Sequence, residues 1–164
     1  MEAKKSRSAN TEQRAILVFG APCSGKTTFS KQFADQFGAT FYDLDMLRDE
    51  HNLSRKFILL LVAEIAKTGS TLILEGGNDT EKDRRELEEI LRAAGYTPTL
   101  IWIQTDVSTI RMRLKNKLKS VEKAKTVYDN RVKALEAPSD AEAPIVLSGK
   151  HTYPAQLKQV LTQL

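Results

Sequence analysis

The unbroken apolar run Ala15-Ile16-Leu17-Val18-Phe19 stops at Gly20 and passes directly into Gly20-Ala21-Pro22-Cys23-Ser24-Gly25-Lys26-Thr27. A short run of branched residues without alternation reads as a strand buried on both faces, the mark of a parallel sheet. Parallel strands need crossover connections, so helices must follow and cover the sheet. The rest of the chain supplies them. A helix is predicted from Lys26 to about Gln36, with Phe29 and Phe33 on one face and Gly38 as its stop. Further strands are predicted at Thr40–Tyr42, Thr71–Leu74, Thr99–Ile103 and Ile145–Leu147. Ser54 caps a helix over residues 56–67, Thr80 and Asp83 open another that runs to Ala94, and Pro154 opens the last. Residues 108–136 read as two helices parted around Asn116–Val121. The expected fold is a single α/β three-layer α/β/α sandwich on a five-stranded parallel sheet.

At 164 residues and 41% hydrophobic content, one domain fits, and residues 14–164 are assigned to it behind a flexible basic tail, residues 1–13. A net charge of +4 suits an anionic ligand but is no dense basic stripe of the kind that marks nucleic-acid binders. One cysteine excludes an internal disulfide framework and fits a reducing, cytoplasmic setting. The longest apolar run, Phe57–Ala63, is too short to span a bilayer, so no membrane role is expected.

Gly20 to Thr27 fits the pattern glycine, four residues, Gly-Lys-Thr, between a strand and a helix as that pattern requires. Glycines let successive N–H groups point at phosphate oxygens, and the helix start adds its positive dipole end. Gly20, Ala21, Pro22, Cys23, Ser24, Gly25, Lys26, Thr27 and Thr28 are the candidate phosphate contacts, Lys26 as a cation on the terminal phosphates and Thr27 as a Mg²⁺ ligand. The ligand is a nucleoside triphosphate. Cys23 fills a tolerant position inside the loop.

Ligands of open α/β sheets gather at the carboxyl ends of the strands. Asp43-Leu44-Asp45-Met46-Leu47-Arg48 follows the second strand, where a carboxylate can orient an acceptor hydroxyl and Arg48 can hold an anion; a solvated loop of turn-forming aspartates is the competing reading. Glu75, followed by two glycines, stands where a carboxylate would hold Mg²⁺ through water, and Asn78 could orient a water. In the basic stretch Arg111 to Lys119, Arg113 and Lys117 share a helix face and could serve a mobile flap.

These residues together resemble the small P-loop kinases of the polynucleotide-kinase-like, zeta-toxin and chloramphenicol-phosphotransferase group, with the P-loop nucleoside triphosphate hydrolase fold. The resemblance implies ATP and Mg²⁺ as cofactors and a hydroxyl-bearing acceptor. It implies that Asp45 activates the acceptor while Arg48 grips it, with Asp43 as rival base. It also implies a lid-like segment at about residues 114–122, Arg113 on the ATP phosphates, Lys117 where a second arginine is common, and Gly149 in the loop passing the adenine. ATP rather than GTP is a family expectation, since no Asn-Lys-x-Asp motif is present. The other readings are an ATP-driven switch or ATPase without an acceptor, and a nucleic-acid module using the basic tail and Lys115–Lys125; few exposed aromatics accompany those charges, which disfavours the latter.

Overall fold

A computed structural model describes residues 13–164; the basic tail expected over residues 1–13 lies outside them except for Gln13. Five strands form one sheet in the order β2-β3-β1-β4-β5, every pair parallel. They are β1 (Gln13–Phe19), β2 (Thr40–Asp43), β3 (Leu72–Glu75), β4 (Tyr96–Gln104) and β5 (Ile145–Ser148). The helices are α1 (Lys26–Phe37), α2 (Leu44–His51), α3 (Arg55–Ala66), α4 (Glu81–Ala93), α5 (Val107–Leu118), α6 (Val121–Ala134) and α7 (Tyr153–Leu161). No helix among the described residues is long and apolar enough to cross a membrane.

Strand alternation sorts the core into two layers. Ala15, Leu17 and Phe19 of β1, with Leu72 and Leu74 of β3, pack against Ile58 and Val62 of α3 and Leu87 and Leu91 of α4. Ile16 and Val18, with Ile73, Ile101 and Ile103, face Phe29 and Phe33 of α1 and Val160 of α7. The apolar run of β1 is therefore continuous because helices cover both of its faces. A third, smaller cluster of Ile110, Leu114 and Ala124 joins α5 to α6 and rests on Ala21 and Cys23.

Two elements depart from the sequence reading. The segment after β2 is a helix, α2, and not a loop: Asp43 caps it by accepting from the Met46 N–H at 2.9 Å, Asn52 ends it in the left-handed region, and Leu44 is buried. β4 starts three residues early, at Tyr96, and contains Pro98. β5 begins only opposite Ile101, so β4 is still an edge on that side at Pro98, where a strand proline is tolerated.

Arg84 of α4 is fully buried, an exception among arginines. Its guanidinium lies 4.6 Å from the centre of the Phe19 ring. It donates to Glu142, at 3.1 Å through Nη2, and to the carbonyls of Asn78, Asp79 and Glu136 at 3.3, 3.1 and 3.1 Å. One side chain thus ties the loop after β3 to the segment between α6 and β5. The Arg84 guanidinium holds the Glu142 carboxyl below its ordinary pKa, so this contribution to stability is full above the unfolded-state value and is lost as acid protonates Glu142. Removing one partner of a buried pair costs about 3–5 kcal/mol. Arg84→Ala is expected to destabilise by that order in urea unfolding. Its exposed neighbour Arg85, which pairs with Glu89 at 3.7 Å, is expected to tolerate alanine to within about 0.5 kcal/mol.

Candidate active site

The glycine-rich turn closes tightly over the end of β1. Gly20 has φ +148°, and a Cβ there would stand 2.3 Å from the Ile103 carbonyl oxygen, so only glycine fits. The Ser24 N–H donates to the Ala21 carbonyl at 3.1 Å, and Cys23, at φ 58°, packs toward the α5–α6 cluster. The Lys26 ammonium folds back onto the loop that precedes it, donating to the carbonyls of Gly20 at 2.8 Å and Ala21 at 2.9 Å. Burial pushes its pKa down, and the carboxylates of Glu75, Asp45 and Asp79 pull it back up.

Beside Lys26, the Thr27 hydroxyl donates to Glu75 Oε1 at 2.6 Å. Glu75 is 4% exposed and its Oε2 has no hydrogen-bond partner. Burial raises its pKa, against the lowering influence of the Thr27 hydroxyl and Lys26. The buried Ser30 hydroxyl also lowers the Glu75 pKa, although Oε2 makes no hydrogen bond of ordinary geometry among the described residues, and Thr27 with Glu75 is the pair that could hold Mg²⁺. No group of three or more His, Cys, Asp or Glu side chains among the described residues could hold a metal.

Arg113 and Gly149 meet on the other side of the loop. Arg113 donates to the carbonyls of Cys23 and Gly149, both at 3.1 Å, and Thr105 Oγ1 donates to the Ser24 carbonyl at 2.9 Å. Arg113, expected on the ATP phosphates, therefore braces the glycine-rich loop against the loop after β5 by way of main-chain oxygens. A cavity of about 420 Å³ opens here, lined among others by Gly25, Lys26, Thr27, Thr28, Arg113 and Lys117. The expected lid-like segment, residues 114–122, runs through the end of α5, a left-handed Lys119 and the Ser120 cap of α6.

Asp45 and Arg48 come together on α2, and a residue that sequence reasoning missed joins them. Asp45 accepts from the Gly77 N–H at 3.2 Å, pairs with Arg48 at 3.1 Å, and pairs with Arg131 of α6 at 2.7 Å. Asp43, the rival base, uses its side chain to cap α2. Asn78 is buried; its Nδ2 donates to the Val18 carbonyl at 3.2 Å, and its Oδ1 has no hydrogen-bond partner among the described residues. Asp79 is half-buried next to this cluster; burial raises its pKa, the Asp45 carboxylate adds to that, and Arg131, Lys26 and Arg48 oppose it. Neither Arg131 nor Asp79 belongs to a motif, and only the fold brings them to Asp45.

Residues 16–140 match the AAA domain family, well over half of the sequence. The chain belongs to the AAA domain family. Its fold is that of P-loop kinase-like proteins. A gluconokinase from Sinorhizobium meliloti 1021 superposes with a TM-score of 0.70 at 14% identity, covering 91% of this chain and 90% of the gluconokinase. Kti12 from Chaetomium thermophilum, in complex with ADP-AlF3, gives 0.73 at 19% identity over 91% and 96%. The Mycobacterium tuberculosis APS kinase CysC, in complex with AMPPNP and APS, gives 0.67 at 16% identity over 92% and 96%. None of the curated proteins matches this AAA-domain chain.

The junction between the two loops is testable through Gly149. A Cβ there would stand 1.8 Å from the Ser24 carbonyl oxygen and 2.1 Å from Thr105 Oγ1. Gly149→Ala is expected to push the loops apart at a cost of about 1–3 kcal/mol, read as a lower denaturant midpoint. An unchanged midpoint would show that the contact carries no stability.

Proposed function

We propose that this AAA-domain protein is an ATP- and Mg²⁺-dependent phosphotransferase that moves the γ-phosphoryl group of ATP to a hydroxyl of an acceptor. One observation carries the reading: Lys26 of the glycine-rich loop lies within electrostatic reach of both Glu75 and Asp45. A phosphate cradle and a second charged cluster thus share one edge of the sheet. Phosphoryl transfer needs mainly positioning and neutralisation of charge, and these groups supply both.

The loop amides and Lys26 bind the β- and γ-phosphates, while Thr27 and Glu75 hold Mg²⁺, which when bound neutralises charge on those phosphates. The cavity beside Arg113 and Gly149 takes the rest of the nucleotide. Asp45, Arg48 and Arg131 face the acceptor, the arginines matching an anionic or hydroxyl-rich group. The likeness to gluconokinase and APS kinase supports a kinase reading, and Kti12 with ADP-AlF3 supports a second one, an ATPase whose product is a conformational change.

Labelled ATP separates the two. With γ-labelled ATP and Mg²⁺, a panel of D-gluconate, adenylylsulfate and an oligonucleotide with a free 5′-hydroxyl, widened to other sugars and alcohols, is expected to yield label on a hydroxyl. Lys26→Ala is expected to lower that transfer by at least about 100-fold. Glu75→Gln is expected to raise the Mg²⁺ concentration needed for half-maximal rate. Label released only as inorganic phosphate, at one rate whatever alcohol is present, would favour the ATPase and contradict the transferase.

A further inference from the structure

We propose that α3 pairs with α3 of a second copy of this chain, antiparallel and about a two-fold axis at Leu60. The composition of the helix sets up the case. Of its twelve residues only Arg55, Lys56 and Glu64 are charged, and the other nine are apolar. A helix apolar on all sides belongs inside a protein, and α3 is inside on one side alone. Ile58, Val62, Ile65 and Ala66 are buried, whereas Phe57 and Leu60 are 49% and 57% exposed. Beside them lies a shallow groove of about 450 Å³, lined by Ser54, Lys56, Phe57, Leu59 and Leu60 of the α3 segment and by Ile90 of α4. A contiguous apolar patch with a charged border marks a surface built for a partner.

The charges select the partner. Lys56, Leu60 and Glu64 stand four residues apart, so they form one ridge along the exposed face, with a cation at one end and a carboxylate at the other. A two-fold axis at Leu60 reverses that order in the second copy. Leu60 then meets the partner's Leu60, Lys56 meets the partner's Glu64, and Glu64 meets the partner's Lys56, while Phe57 lies over the partner's Ala63. Ridges of residues four apart pack together in the commonest helix crossing, and a two-fold pair makes every contact twice. The Lys56 ammonium has no hydrogen-bond or ion-pair partner among the described residues. Glu64 pairs with Lys67 at 2.6 Å in a fully accessible place, with room for a second cation. A foreign segment of one charge would match one end of this ridge and be repelled at the other. A second copy matches both.

The face is also held rigidly. Arg55, at the start of α3, donates to the carbonyls of Gly77 and Asp83, the latter at 3.1 Å, and to Glu86 at 3.3 Å, which fixes the helix to the loop after β3 and to α4. A preformed face loses little freedom on pairing. A helix of this length spans about 18 Å, so the contact is small and the dimer is expected to dissociate on dilution.

The experiment is sedimentation equilibrium of the full chain across micromolar concentrations. It compares the unaltered protein with Lys56→Glu, Glu64→Lys, Leu60→Glu, the double variant Lys56→Glu/Glu64→Lys, and an equimolar mixture of the two single charge reversals. The unaltered chain is expected to pass from monomer to dimer as concentration rises. Each single reversal sets like charges opposite each other twice per dimer and is expected to weaken association by at least about 10-fold. Leu60→Glu is expected to stay monomeric. The double variant is expected to recover the dimer. So is the mixture, because a chain with two carboxylates on the ridge complements one with two ammonium groups. Lys56, Leu60 and Glu64 are all exposed, so every variant is expected to keep the native circular dichroism spectrum. An unaltered chain that is monomeric at about 200 µM, where even weak pairing shows, would overturn the proposal. A dimer indifferent to the single reversals, or a mixture that stays dissociated, would do the same. Retention of a monomeric chain on phosphatidylcholine vesicles, lost in Leu60→Glu, would give the face to a lipid surface and overturn it as well.

Discussion

Parallel backbone pairing decides where charge collects in this protein. The ladders set Val18 opposite Glu75 and Glu75 opposite Asp43, so the apolar strands β1, β2 and β3 end in register and release polar residues along one edge. Everything chemical follows from that alignment. The glycine-rich turn leaves β1 at this edge, Glu75 ends β3 beside the helix that turn opens, and the helix after β2 brings Asp45 over the two glycines. Gly76 shows how close that approach is, since a Cβ there would meet the Asp45 carboxyl at 2.7 Å. A slip of one residue in β3 would turn Glu75 to the other face of the sheet.

Burying charge at this edge is costly, and the protein meets the cost with pairing in some places and leaves it unmet in others. Arg84 is the paired extreme, with a carboxylate, three carbonyls and an aromatic face. Glu75 is the opposite case, since its buried Oε2 makes no hydrogen bond among the described residues. Such orphans gather at functional sites, and under the phosphotransferase reading a cation would complete Glu75. The fully satisfied Arg84 network fixes the main chain of Asn78 and Asp79 on the loop after β3.

What could be read in the sequence was whatever has a local signal. The buried-strand run of β1, the glycine-lysine-threonine turn, the Ser54 and Thr80 caps and the Gly38 stop depend on residues within a few positions of each other, and all recur in the fold. Helix α2 was hidden because its aspartates suit turns and caps equally well, and only the burial of Leu44 against the core resolves the choice. Arg131 was invisible for a different reason. It lies 86 residues from Asp45 in the chain, inside a lysine-rich stretch where one more cation carries no information. Arg84 looked like any charge on an amphipathic helix. Arg113 was expected on the ATP phosphates, and its hydrogen bonds go to main-chain carbonyls that no side-chain pattern reports.

The central claim is that the turn from Gly20 to Thr27, with its ammonium group and its threonine–glutamate pair, is built to hold a magnesium-bound triphosphate. Equilibrium dialysis of the purified chain against labelled ATP tests it most directly, with Mg²⁺ present and then with Mg²⁺ chelated. Saturable uptake that weakens on chelation and is displaced by unlabelled ATP is the expected result. Uptake no greater than that of a protein without such a loop would contradict it.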